Sequence, residues 1–100
     1  MPEAPDVQKI ERPTESPSRE TEESLDEPWH VILYNDEIHT FDEVIGQLIK
    51  ATGCSRGRAE DLAWTVHTKG KAEVFSGTFE ECLRVEGVLA EIGLVTEIRG

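Results

Sequence analysis

The chain has 100 residues, with 21 acidic side chains against 10 basic ones and a formal charge of −11. That balance argues against a binder of nucleic-acid backbone, which needs clustered Lys and Arg to displace counterions, and against docking on an anionic membrane surface. The longest nearly unbroken apolar run, Trp29 to Tyr34, falls far short of the roughly 20 residues that a bilayer span requires.

Residues 1–27 hold nine acids, three bases and four of the five prolines, but only five apolar side chains. Such a segment buries too little surface to offset its ordering entropy, so a disordered acidic extension is expected. It has no basic stretch followed by an apolar one, and it is too acidic for a transit peptide, which makes a cytoplasmic location the expectation. From Pro28 onward the balance reverses, with 32 apolar residues in 73, enough for one small domain over residues 28–100.

His30 to Tyr34 reads as a β-strand ended by the turn former Asn35-Asp36. Thr40-Phe-Asp-Glu43 has the spacing of a capping box, and the helix it opens carries Phe41, Val44, Ile45, Leu48 and Ile49 on one stripe before Gly53. Ser55 can cap a second helix, with Ala59, Leu62, Ala63 and Val66 inward, closing at Gly70. Lys71 to Phe75 alternates as a strand, Ala72 and Val74 facing one way and Glu73 and Phe75 the other. Thr78-Phe-Glu-Glu81 is a second capping box, whose helix should run to Gly93, and Leu94 to Ile98 forms the last strand. The order β-α-α-β-α-β predicts an α+β domain, a three-stranded antiparallel sheet covered by helices.

No catalytic signature stands out: no nucleophile elbow, Gly-rich phosphate loop or HExxH is present, and an enzyme is not expected. Cys54 and Cys82 are 28 positions apart with no CxxC, as for reduced, buried small hydrophobes. A metal site from Asp36, Glu37, His39 and His67 fits no ligand spacing, so no metal and no cofactor are predicted. The polar cluster Asn35-Asp36-Glu37, with His39 and His67, has two readings from the residues alone. Asn-Asp commonly marks a plain turn, and a His in the last turn of a helix suits its dipole.

Pro-Trp-His-Val-Ile-Leu-Tyr-Asn-Asp-Glu at 28–37, Trp-Thr-Val-His at 64–67 and Gly-Lys-Ala at 70–72 together resemble the ClpS adaptors of the Clp protease, over nearly all of residues 28–100. The resemblance implies a protein that binds the N-terminal residue of substrate proteins and delivers them to a ClpA- or ClpC-type AAA+ unfoldase of the ClpP protease, acting as a monomer. It implies that Asn35, Glu37 and His67 bind the N-terminal amine, with Asp36 and His39 in supporting or turn positions. It places Ile38, Phe41, Ala63 and Val66 on the walls of a hydrophobic pocket, and Glu80, Glu81 and Arg84 at the unfoldase contact. This chain departs from the family's pattern in having Glu37 for the usual Asp, His39-Thr40-Phe41 where Thr-Pro-Met is frequent, and Ala63 where Met is frequent. A non-catalytic interaction module that never captures N-termini is the alternative.

Overall fold

The structure, a computed structural model, describes residues 27–100; the acidic extension expected over 1–27 lies outside the described residues except for Glu27. The elements are β1 (Trp29–Tyr34), α1 (Phe41–Thr52), α2 (Arg56–Lys69), β2 (Lys71–Gly77), α3 (Phe79–Ala90) and β3 (Thr96–Arg99). This is the β-α-α-β-α-β order read from the sequence. β1 is the central strand of a three-stranded sheet ordered β2-β1-β3, antiparallel to both neighbours.

Local signals set the helix ends. Thr40 Oγ1 accepts from the Glu43 N–H at 3.1 Å while Glu43 Oε1 accepts from the Thr40 N–H at 2.9 Å. The same reciprocal pair joins Thr78 and Glu81 at the start of α3. Each box satisfies two backbone donors that a helix start otherwise leaves free. At the ends of α1 and α2, Gly53 (φ 73°) and Gly70 (φ 89°) take the left-handed conformation that L side chains resist.

The helices cover the sheet face that carries Val31 and Leu33, and the core joins these to Leu48 of α1, Ala59 of α2, and Val85 and Leu89 of α3. Cys82 is fully buried in that core and Cys54 is half-buried; both are free thiols. Burial pushes the Cys82 thiol up from its ordinary pKa.

Two local expectations are corrected. Val31 faces Phe75 but Ile32 faces Glu73, so Val74 is an extra residue between them. This bulge breaks the strict alternation expected for β2: buried Val74 and half-buried Phe75 both pack on the core, while Glu73 is exposed. α3 ends at Ala90 instead of reaching Gly93. A tighter turn follows, with the Glu91 N–H donating to Val88 O and the Gly93 N–H to Ala90 O. Gly93, at φ 85°, then redirects the chain, Leu94 is buried beneath it, and β3 starts at Thr96.

Candidate functional site

A cavity of about 530 Å³ opens where the end of β1, the loop after it, the start of α1 and one side of α2 meet. Leu33, Val44, Ala63, Val66 and Leu94 give it apolar walls, and Phe41, Trp64 and His67 stand together at its side. The Phe41 ring meets Trp64 edge-on at 6.0 Å between centroids and His67 edge-on at 5.4 Å. Trp64 and His67, one helical turn apart on α2, are 6.0 Å apart. Trp64 is 58% exposed, unusual for so large an apolar surface.

The polar border is the loop Asn35–His39, shaped largely by Asp36. One carboxylate oxygen, Oδ1, accepts from the N–H groups of Ile38 and His39, both at 2.9 Å. The other, Oδ2, lies 2.8 Å from His39 Nδ1. The backbone donor of His39, then its side chain and the Ile38 N–H, hold the Asp36 carboxyl below the usual carboxylate range. His39 Nε2 reaches the carbonyl oxygen of Ile92, in the turn after α3. On the other side, the Asn35 N–H donates to Gly70 O at 2.9 Å, tying the loop to the end of α2. With Asp36 and His39 both engaged, the Glu37 carboxylate, the Asn35 amide and the His67 ring have no hydrogen-bond partner among the described residues.

Of the residues singled out in the sequence, Asn35, Asp36, Glu37, His39, Phe41, Ala63, Val66 and His67 all border this one cavity. Ile38 does not. It is 84% exposed, because the Asp36 turn that binds its N–H leaves its side chain outside the walls. None of Glu80, Glu81 and Arg84 borders the cavity. Glu81 closes the α3 capping box, Arg84 donates from Nη1 to Ala51 O at 3.0 Å and so covers the end of α1, and Glu80 is exposed. Among the described residues no group of three His, Cys, Asp or Glu side chains is disposed to hold a metal ion, and no helix is long and apolar enough to cross a membrane.

The sequence reading missed Trp64, Tyr34, Leu33, Val44 and Leu94 as cavity residues. For Trp64 there was a usable signal, since it precedes His67 by three positions on a helix and so shares its face. For Leu33 and Leu94 there was none, because core residues and cavity walls have the same composition. The arrangement suits an amphipathic ligand, one apolar group entering between the walls and one polar or cationic group meeting the border.

A family profile described as "ATP-dependent Clp protease adaptor protein ClpS" matches residues 24–91. The ATP-dependent Clp protease adapter protein ClpS of Rhodococcus opacus is 36% identical over 78 residues, which make up 78% of this chain and 66% of that protein. The E3 ubiquitin-protein ligase UBR1 of Drosophila melanogaster is 42% identical over 55 residues, 55% of this chain but 3% of the ligase. The human E3 ubiquitin-protein ligase UBR2 is 36% identical over 61 residues, 61% of this chain but 4% of the ligase. The structure of Agrobacterium tumefaciens ClpS2 bound to L-phenylalaninamide shares the fold, with a TM-score of 0.66 at 19% identity, covering 73% of this chain and 95% of that one.

Proposed function

The chain belongs to the ClpS family of Clp protease adaptors, and from that premise we propose that it captures the free N-terminus of proteins whose first residue is bulky and hydrophobic, and delivers them to a ClpA- or ClpC-type AAA+ unfoldase. One juxtaposition carries this reading: Asn35, Glu37 and His67, whose side chains have no hydrogen-bond partner among the described residues, border the same cavity as the apolar Phe41, Ala63 and Val66. A free N-terminus has the matching chemistry. Its ammonium needs acceptors when it leaves water, and a carboxylate, an amide oxygen and a neutral imidazole nitrogen are three of them. The adjoining side chain gains roughly 1.5–3 kcal/mol when fully buried between apolar walls.

The ligand held by the solved relative, L-phenylalaninamide, has both parts, an α-ammonium and an apolar side chain. The ligase relatives also favour recognition over docking. A ubiquitin ligase and a Clp adaptor work through unrelated downstream machines, so a stretch common to both is better suited to choosing a protein than to seating on one machine. The role asks for binding and no bond-making step.

Fluorescence anisotropy with a peptide beginning with Phe tests the reading. Replacing a charge-assisted bond, worth roughly 1.5–3 kcal/mol, by a neutral one should weaken binding tenfold or more in Glu37→Gln with the fold intact. Acetylating the peptide's amine should have an effect at least as large. Equal affinity for the free and acetylated peptides would sink the assignment and leave an interaction module without N-terminal recognition.

A further inference from the structure

His39 lies between two oxygens. Its Nδ1 is 2.8 Å from Asp36 Oδ2 and its Nε2 is 2.5 Å from Ile92 O, with the side chain only 11% exposed. A backbone carbonyl can only accept a hydrogen bond. Asp36 is ionised at neutral pH, since backbone donors already stabilise its charge. A neutral imidazole has one N–H and one lone pair, so in either tautomer a lone pair would face an oxygen. Only the imidazolium satisfies both contacts.

We infer that His39 is a positioning residue: as the imidazolium it clamps the Asn35-Asp36-Glu37 border to the turn after α3, and so holds the cavity's acceptors in place. The clamp stands on geometry alone; its effect on peptide affinity rests on the proposed function. The titratable and charged groups around it are Asp36 and Glu37 on its own loop, Glu43 on α1, Glu91 beside Ile92, and His67 on α2 across the cavity. Glu91 is paired with Lys50 at 2.7 Å, and Glu43 caps Thr40. The bond to Asp36 first, then the Ile92 carbonyl, raises the pKa of His39 above its ordinary value.

The sign follows. A raised folded-state pKa contributes stability that is complete below the ordinary imidazole value and is lost as pH rises through the folded one. On losing its proton, His39 can keep Nδ1–H on Asp36, but a lone pair then faces Ile92 O. The loop separates from the turn that carries Leu94, and its anchor through Asn35 on Gly70 remains.

Nitrogen-15 NMR of the histidine rings in the full-length chain tests the clamp directly. The expected result is that His39 has both ring N–H groups at pH 6 and 7 and titrates above the free imidazole value. As it titrates, amide exchange at Ile38 and Thr40, corrected for intrinsic base dependence, should quicken by on the order of tenfold. In parallel, the affinity for the Phe peptide is compared between wild type and His39→Asn, which can donate to Asp36 but not also reach Ile92. The ratio should be on the order of tenfold at pH 6 and fall towards one above the His39 midpoint, which separates the clamp from titration of the peptide amine or of His67. A His39 ring that is neutral from pH 6 to 8, or an affinity ratio independent of pH, would overturn the inference. A peptide that binds wild type at no pH would instead overturn the proposed function, with the ring spectrum and amide exchange still deciding the clamp.

Discussion

Asp36 and Glu37 are adjacent acids with different occupations: Asp36 spends both oxygens inside its own loop, and Glu37, at the cavity border, has no partner for its carboxylate among the described residues. Substituting Asp36 should therefore act through the loop's shape, whereas under the proposed function Glu37→Gln should act on the ligand alone. Ala63 has the opposite ambiguity, being 2% exposed and both core and cavity wall. Ala63→Met adds three heavy atoms at that wall. It should weaken binding of peptides beginning with Trp or Phe more than those beginning with Leu, as a shallower cavity excludes longer side chains first. Competition anisotropy with the three peptides checks this, and equal losses would make Ala63 a core residue only. At this scale the polar lining of the cavity was legible where a residue's chemistry is distinctive, as for Asn35, Glu37 and His67. The sequence was misleading at Ile38, where an apolar side chain next to a binding loop looks like a wall, and the hydrogen bond that turns it outward depends on how Asp36 folds back.

The elements follow from short-range signals that agree with one another. Two capping boxes, a serine cap and two glycines at positive φ mark helix ends where the sequence led one to expect turns, and a third such glycine, Gly93, closes the tighter turn after α3. What could not be read was cooperative. The bulge at Val74 depends on how β2 meets β1, and the early end of α3 depends on the burial of Leu94. The capping boxes also separate stability from binding. Thr78→Ala removes the acceptor for the Glu81 N–H, costing about 1 kcal/mol, and should lower Tm by roughly 4–8 °C in a domain of this size. Peptide affinity should stay unchanged, because no residue of α3 borders the cavity. Calorimetry and anisotropy on the same variant check both halves, and a parallel loss of affinity would mean that α3 shapes the site. Arg84 is placed to transmit such a loss, since its guanidinium bridges α3 to the end of α1.

Taken whole, the protein joins a folded domain to a proline-rich acidic segment that lies almost wholly outside the described residues. The proposed delivery role gives that segment a use. Deleting residues 1–24 should leave peptide affinity and Tm nearly unchanged and abolish stimulation of degradation in a reconstituted unfoldase–protease assay. Delivery by the truncated chain at the full-length rate would assign the segment no part in hand-over. The cavity belongs to this scale too. Its walls come from β1, the loop after it, α1, α2 and Leu94, segments that meet only when the entire domain is assembled. Under the proposed function, then, occupancy and folding share one equilibrium. A ligand at one hundred times its dissociation constant adds about 2.7 kcal/mol to the folded state. Under the proposed function, an adaptor loaded with a client is therefore the harder to unfold, and an idle one the easier.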